Sequence, residues 1–469
     1  MTWLFERKSV EASMTLARVF SRTSAAFSIA RVSLFSGINR VLSFRGSRLQ
    51  RLLNASQIVR IVALLLTSSP AFADEKRAVP DYDGRAQTHG DGALWIPRVL
   101  LAPLWLVYEF IVRFPIGAAI TTLEESAGVQ RALHVLSLGA EKNAGLAPTF
   151  FLDRGMLPTV GAYFWWDDAL ARGNHVRVRA STWGEPVVLA SVSDRYDLDD
   201  RTSVAFVASF VRRRDALFWG LGPDTFDSAR GRYRARVLDI APGLEHELGG
   251  GLHLGTRVGV RDAHLTDRTP RVASDYTIAY QHAELAFDTR GLGSHAVDLR
   301  TVARADGAFD VASTPGSSWF GYGATVEGFW DIGASARTLK LTATTQLVDP
   351  IAGAIPFTEL ATLGGNAAMR GFLPGRMIDR SAAALTLAYA WPVWSFLDGE
   401  VEAATGNVFG AGLRGFAPGK LRLSGNVGLR TLSIPEAQLE LLLGFGTDTF
   451  DQGTSVQSFR LAFGISHAF

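Results

Sequence analysis

The chain has 469 residues, of which 47% are hydrophobic and 47 are glycine, and it contains no cysteine. The absence of cysteine excludes disulfides, thiolate metal ligands and cysteine nucleophiles. No uncharged apolar run reaches the roughly 18 residues of a membrane-spanning helix, which argues against a helical membrane protein. A glycine-rich, aromatic and moderately apolar composition suits strands with one face toward lipid and one toward water, although a soluble β-sandwich shares it.

The formal charge of +2 belongs to the beginning of the chain. Residues 1–73 contain ten Lys and Arg and two acidic residues, a surplus of eight positive charges, so the remainder carries a charge near −6 (+2 minus 8). This balance argues against nucleic acid as a partner of the mature chain.

Residues 1–73 have the pattern of a leader that is removed. Basic residues precede the apolar run 61–66, and Ala71-Phe72-Ala73 supplies the small residues that signal peptidase requires. The pattern predicts a secretory signal peptide with cleavage before Asp74, and a buried helix of a soluble domain is the alternative. The Arg- and Ser-rich residues 1–50 resemble a transit peptide in composition, or a translation start assigned too early.

The segment 74–143 is predicted to be a linker followed by a short helical periplasmic region. Between Pro97 and Pro115 the charged residues fall on one narrow stripe at the helical period, and the rest of the surface is apolar. An amphipathic helix at the inner rim of a barrel and a helix packed on a small periplasmic domain both fit this pattern. A second short helix is predicted at about 122–138.

From about residue 144 to residue 469 the hydrophobicity alternates with the period of two that is typical of strands. In one clear case Leu252, Leu254, Val258 and Val260 share one face, and His253, Arg257 and Arg261 share the other. Runs of about nine to twelve residues are long enough to cross a hydrocarbon layer at a tilt. We therefore predict an all-β fold, a transmembrane antiparallel β-barrel of about 16 strands in the bacterial outer membrane. A soluble barrel or sandwich is the alternative.

The alternation predicts the position of each strand. The sixteen predicted strand centres are residues 149, 161, 179, 189, 207, 238, 256, 281, 301, 324, 342, 386, 402, 425, 441 and 463. Longer connections are predicted at 218–230, 262–274, 349–380 and 447–457, alternating with short ones, as in outer-membrane barrels. Closure of the sheet would leave no unpaired strand edge in lipid.

The predicted last strand ends the chain in strict alternation. Its apolar positions are Phe459, Leu461, Phe463, Ile465 and Phe469. A strand that ends in an aromatic residue resembles the assembly signal of bacterial outer-membrane proteins. The barrel-insertion machinery would bind such a strand by β-augmentation during biogenesis.

The longest predicted loop carries a distinctive motif, Leu363-Gly364-Gly365-Asn366-Ala367-Ala368-Met369-Arg370-Gly371-Phe372. A Gly-Gly pair followed by an Arg-Gly-aromatic triplet, between strands eleven and twelve, resembles the sixth-loop motif of the BamA/TamA outer-membrane assembly superfamily, also called the bacterial surface antigen family. The stretch 218–223 (Phe-Trp-Gly-Leu-Gly-Pro) resembles that family's loop after strand five, and 406–409 (Gly-Asn-Val-Phe) resembles its strand-thirteen ending. The resemblance covers about residues 145–469.

The residues of the loop motif also have a physical interpretation. Gly364, Gly365 and Gly371 allow tight backbone conformations and a close approach to a wall. Arg370 placed inside a barrel would need several hydrogen-bond acceptors. A flexible surface loop is the alternative interpretation of this stretch.

The resemblance implies that the loop folds inward and that its arginine pairs with acidic residues on strand thirteen. We expect Glu400 or Glu402 to be the partner of Arg370. The family usually has an aspartate where this chain has Ala404, and Glu402 lies one same-face step before that position.

The resemblance implies a role in inserting or translocating proteins, or lipids, at the outer membrane, with a seam between the first and last strands that opens. The implied partners are outer-membrane lipid, the barrel-insertion machinery and unfolded outer-membrane protein substrates. The family also has periplasmic βααββ repeats. The segment 74–143 is no longer than one such unit and its pattern is helical, so we expect no substrate capture by repeats. A passive pore or structural barrel without assembly activity is the alternative.

Nothing in the sequence indicates an enzyme. His246, Glu247 and His253 do not have the spacing of a zinc-protease motif, and no nucleophile elbow, P-loop or dinucleotide fingerprint is present. We therefore expect no catalytic residues, no cofactor and no metal.

Overall fold

The computed structural model describes residues 137–138, 143–267, 275–292, 297–312, 316–332, 337–394, 397–431 and 439–465. The predicted leader, the predicted helix at 97–115 and Phe469 lie outside the described residues. The prediction of a helix reaching residue 138 is wrong at its end, because Ser137–Leu138 form a two-residue strand that hydrogen-bonds to the following strand. In the described part of the chain, no helix is long and apolar enough to cross a membrane.

Sixteen long strands follow one another within the described residues, and all sixteen predicted strand centres fall inside them. They are β1 (Ala144–Asp153), β2 (Thr159–Asp167), β3 (Asn174–Thr182), β4 (Val187–Asp197), β5 (Thr202–Phe218), β6 (Gly231–Gly249), β7 (Leu252–Asp267), β8 (Tyr276–Asp288), β9 (Val297–Asp310), β10 (Ser318–Asp331), β11 (Thr338–Ala352), β12 (Ser381–Trp394), β13 (Leu397–Phe409), β14 (Arg422–Thr431), β15 (Leu439–Thr449) and β16 (Val456–Ile465). Single-turn 3₁₀ helices lie at Asp227–Ala229, Phe357–Glu359, Ala411–Leu413, Pro418–Lys420 and Phe450–Gln452.

The sheet closes on itself. Each strand pairs in antiparallel fashion with the next, and β16 returns to pair with β1. The closing pairs in the described chain are Phe151 with Gly464, Leu152 with Phe463 and Asp153 with Ala462. We call this β1–β16 junction the seam. The all-β, closed antiparallel barrel of 16 strands confirms that part of the predicted fold.

The two ends of the barrel differ. One end, here the loop end, carries the connections 219–230, 353–380 and 410–421, and the other, the turn end, carries turns such as 198–201 and 250–251. The connection predicted to begin at Asp262 was placed too early, because β7 continues to Asp267 and pairs there with Tyr233 of β6. Its outward side chains become polar near that end, so hydrophobic alternation stops before the strand does.

The outer surface of the barrel is apolar and the lumen is polar. Exposed outward side chains include Leu238, Ile240, Val258, Val260, Val427 and Leu443. On the inward faces, Arg261 of β7 pairs with Asp239 of β6 at 2.7 Å and with Glu359 of the connection 353–380 at 2.9 Å. An apolar exterior around a charged interior is the reverse of the arrangement in a water-soluble barrel.

Candidate functional site

The connection 353–380, which we call the lumenal loop, folds into the barrel. Its two short strands, Ala361–Leu363 and Met377–Asp379, pair with each other and carry the motif at their tip. Met369 and Phe372 are completely buried. They share one hydrophobic core with the inner wall at Ala263, Leu265, Tyr276, Ile278, Ala308, Trp319, Val348, Ala382, Ala384, Ala404 and Val408. The loop is therefore packed, and the flexible-surface-loop alternative does not describe it.

The glycines of the motif serve two different purposes. Gly364 and Gly365 have φ values of +96° and +66°, in the left-handed region that glycine adopts without strain. Glycine is required at position 371 for a different reason. A Cβ atom there would lie 2.1 Å from the Phe445 carbonyl oxygen of β15. A side chain at that position would force the loop off the wall.

Gly371 and Phe372 fix the tip of the lumenal loop to the last three strands. The Gly371 amide donates to Ser424 Oγ of β14 at 2.8 Å, and its carbonyl accepts from Ser458 Oγ of β16 at 3.0 Å. The Phe372 ring covers Gly446 of β15, where an added Cβ would lie 2.3 Å from the ring. A serine on each flanking strand and a glycine between them form the seat for this tip.

Arg370 reaches two carboxylates on the wall. Its Nη1 donates to Glu400 Oε1 of β13 at 3.3 Å, and its Nη2 donates to Glu440 of β15. Glu400 also pairs with Arg430 of β14, with Arg430 Nη2 3.3 Å from Glu400 Oε2. The guanidinium thus joins the loop to strands on both sides of β14.

Of the two expected partners, the structure brings Glu400 to Arg370 and leaves Glu402 without an ion pair to it. Glu402 is buried, and its Oε1 has no hydrogen-bond partner among the described residues. Sequence reasoning missed Glu440. The signal for it was a single charge among the aliphatic residues 439–443 of the penultimate strand. What these contacts do for function stays a prediction.

Arg460 of β16 lies where the seam meets the lumenal loop. Its Nη2 is 2.9 Å from Asp153 Oδ2 of β1, and both side chains are at most 3% exposed. The same guanidinium donates to the carbonyls of Gly365 and Arg370, the latter at 3.1 Å, and to Asn366 Oδ1 at 3.2 Å. One side chain therefore ties together the last strand, the first strand and the loop. The signal missed here was a lone arginine in an otherwise uncharged terminal strand.

A second anchor holds the loop to the connection 219–230. Arg376 donates to the Thr225 hydroxyl and, at 2.8 Å, to the Thr225 carbonyl, and its guanidinium lies 5.8 Å from the centre of the Trp219 ring. Asn407 of β13 donates to the Pro223 carbonyl at 3.2 Å. Segments 218–223 and 406–409, which stood apart in the sequence motifs, thus meet at the loop end.

The predicted C-terminal assembly signal lies on the outward face of β16, as far as it is described. Phe459 is exposed, and its ring receives the Arg154 guanidinium at 5.1 Å. Phe463 packs against Phe150 of β1 with ring centres 4.8 Å apart, and Leu461 and Ile465 share this face. Recognition of these residues by an insertion machinery stays a prediction. In the described chain no group of His, Asp and Glu is arranged to hold a metal ion.

Together these features define a closed 16-stranded antiparallel barrel with a long loop packed in its lumen and bonded to the wall beside the seam. Solved structures of similar fold include BamA from Haemophilus ducreyi lacking POTRA domains 1–3, at 11% identity and a TM-score of 0.49, over 69% of this chain and 70% of that one. CdiB from Acinetobacter baumannii has 8% identity and a TM-score of 0.47, over 68% and 59%. CdiB from Escherichia coli has 12% identity and a TM-score of 0.48, over 68% of this chain and 62% of that one.

These similarities concern the fold. The chain spans about three fifths of the length of the two CdiB chains. No family model and no curated protein matches the sequence.

Proposed function

We propose that this chain is an integral barrel of the bacterial outer membrane that takes part in inserting or translocating proteins, or lipids, across that membrane. The apolar exterior of the barrel supports the membrane placement, because such a surface is stable in lipid and not in water. The proposed role is not enzymatic. Its proposed partners are outer-membrane lipid, the barrel-insertion machinery and unfolded outer-membrane protein substrates.

The proposal rests on two features that occur together: the seam is short within the described residues, and the lumenal loop is packed against the barrel wall. In the described residues the seam joins three residues of β1 to three of β16, whereas the neighbouring β1–β2 ladder extends from Ala144 to Phe151. Ser137–Leu138 pair with Ala144 and Gly145 on the seam edge of β1, because β2 occupies the other edge. We propose that the seam opens to present a strand edge, while the loop keeps β13 to β16 in place.

A reversible lock of the seam tests this mechanism. The chain has no native cysteine, so a pair at Leu152→Cys and Phe463→Cys, which face each other across the seam, can be oxidised without competing thiols. Thr301→Cys with Val326→Cys, facing each other on β9 and β10, is the matched control. The purified protein is reconstituted in vesicles and given a urea-unfolded outer-membrane barrel, whose insertion is followed by heat-modifiable gel mobility.

We expect the oxidised seam pair to stop insertion, a reductant to restore it, and the control pair to have no effect. Equal activity of the oxidised and reduced seam pair would contradict seam opening. Steady conductance in a planar bilayer, together with a depletion strain that retains its other barrels, would instead identify a passive pore. Failure to cofractionate with outer membranes would refute the membrane placement itself.

Arg370→Ala tests the lumenal loop separately. The substitution removes the bonds to Glu400 and Glu440, so we expect slower insertion and lower heat resistance of the barrel. Unchanged stability and activity would show that the bonds from Arg370 to the wall have no functional role.

A further inference from the structure

The outward face of β6 changes character along its length. From Leu238 to Leu248 the exposed side chains of this face are Leu238, Ile240, Leu244 and Leu248, with the half-buried Pro242 and His246 between them. Ten residue steps at about 3.4 Å each and a tilt of about 45° give this band a height of about 24 Å, close to the roughly 25 Å apolar band of outer-membrane barrels. Beyond Leu238, toward the loop end, the next exposed residues are Arg236, Arg234 and Arg232.

The neighbouring strand continues this basic surface. Arg212 of β5 is the direct cross-strand partner of Arg236, and Arg214 follows at a bulge in the same strand. Like charges facing each other across a ladder destabilise it. We define the arginine face as these outward residues of β5 and β6, namely Arg212, Arg214, Arg232, Arg234 and Arg236.

The protein itself neutralises only part of this charge. Glu185, in the turn between β3 and β4, pairs with Arg212 at 3.0 Å and also with Arg214. On the other side, His264 of β7 faces Arg236 and pairs with Asp262 and Asp275. Five arginines against these three carboxylates leave a surplus of two positive charges. Arg234 has no hydrogen-bond or ion-pair partner among the described residues, and the Arg236 guanidinium lies 6.0 Å from the centre of the Phe210 ring.

We propose that the arginine face binds the phosphate of a lipid headgroup in the membrane leaflet at the loop end. Guanidinium groups bind phosphate oxygens through paired, charge-assisted hydrogen bonds. The face continues directly into Leu238 and Ile240, so one lipid molecule can place its phosphate on the arginines and its acyl chains on the apolar band. This continuity favours a lipid over a free anion. The inference rests on the proposed membrane placement and not on the proposed insertion activity.

Lipid binding by the full chain in uncharged detergent micelles tests the proposal. The variant is Arg234→Ser with Arg236→Ser, and the matched control is Arg172→Ser with Arg201→Ser, two exposed arginines in turns at the opposite end of the barrel. The probes are phosphatidic acid, diacylglycerol with the same acyl chains, and inorganic phosphate. Native mass spectrometry measures the bound fraction over a titration, and heat-modifiable gel mobility verifies folding of each variant.

We expect phosphatidic acid to bind the native chain and the control variant equally. The arginine-face variant should bind about thirtyfold more weakly, since each arginine near an anionic surface contributes about fivefold. Added salt should weaken the native binding. Equal binding by the two variants, or equal binding of diacylglycerol, would overturn the proposal, and tight binding of inorganic phosphate would show a free-anion site instead. If the serine variant does not fold, Arg234→Lys with Arg236→Lys keeps the charge and should lose part of the affinity. These outcomes are read without any insertion assay.

Discussion

The two sides of this barrel are built differently. Within the described residues, the strands beside the seam are short, with nine to eleven residues in β1 to β4 and ten or eleven in β14 to β16. On the far wall, β5 to β13 have 13 to 19 residues, with the maximum in β6. A long ladder shares the cost of opening among many hydrogen bonds, whereas a short one depends on a few side chains. The far wall is therefore held by long backbone ladders on which the hydrophobic core of the lumenal loop packs, whereas the seam side depends on single side chains and on the tip of that loop.

The largest expected effect comes from the buried ion pair of the seam. Arg460→Leu leaves the Asp153 carboxylate buried without a partner, which should lower the free energy of unfolding by about 3–5 kcal/mol. The far-wall control is Arg304→Leu. Its pair with Glu284, at 3.1 Å, is 47% and 31% exposed, and should contribute less than about 1 kcal/mol. Urea unfolding in detergent measures the free energy of unfolding of both variants. Equal losses would contradict the proposed difference between the two sides of the barrel.

Gly371→Ala should have the next largest effect. The added methyl group collides with the Phe445 carbonyl, which should cost about 1–3 kcal/mol through displacement of the loop from β14 to β16. Gly307→Ala on β9 is the control, because no atom lies within 4 Å of an added Cβ there and the change should be within about 0.5 kcal/mol. The same unfolding assay applies. Should Gly371→Ala prove neutral, the loop tip is not confined as the contacts indicate.

The acidic partners of Arg370 can be ranked by amide substitution. Glu440→Gln removes a charge that receives the Arg370 guanidinium, and should lower the free energy of unfolding by about 1–3 kcal/mol. Glu402→Gln removes a buried charge that has no ion pair with Arg370, so it should destabilise the barrel less than Glu440→Gln or stabilise it. A greater loss of stability for Glu402→Gln than for Glu440→Gln would show that Glu402, one of the two partners expected from the sequence, is the more important partner of Arg370.

The smallest effect is expected at the half-buried Lys420 on the loop end. Lys420 Nζ lies 2.8 Å from Asp224 and 2.9 Å from Asp451. Hydrogen bonds from Thr449 and Lys420 hold the pKa of Asp451 below its usual value of 3.8. The stabilisation that ionised Asp451 contributes is therefore present above pH 3.8 and is lost as the pH falls through the lowered pKa. Lys420→Met should reduce the unfolding temperature slightly near neutral pH, and not in high salt or strong acid. An effect as large as that of Arg460→Leu would contradict the ranking.

Much of the fold could be predicted because a strand with one face inside the barrel and one outside alternates between two kinds of residue along its own sequence. Period two places all sixteen strands, and the strand count alone places the motif between β11 and β12. The end of β7 was misplaced because its outward face becomes polar before Asp267, and alternation carries no information there.

The candidate site could be predicted in part. The resemblance suggested that the loop folds inward and that Arg370 pairs with Glu400 or Glu402, and the structure brings Glu400 to it. Glu440 and the Arg460–Asp153 pair could not be derived in the same way. They depend on the tilt and stagger of the strands and on how deep the loop lies, and these are properties of the closed barrel. Asp153 and Arg460 are 307 residues apart in sequence, and no local pattern relates them.

The shared guanidinium of Arg460 has a consequence for the order of assembly. Its hydrogen-bond partners lie on the first strand and on the loop, while Arg460 itself belongs to the last strand. Full docking of the loop therefore cannot precede the pairing of β16 with β1. Docking and closure are then one cooperative event, and by linkage any molecule that stabilises either of them stabilises the other by the same free energy.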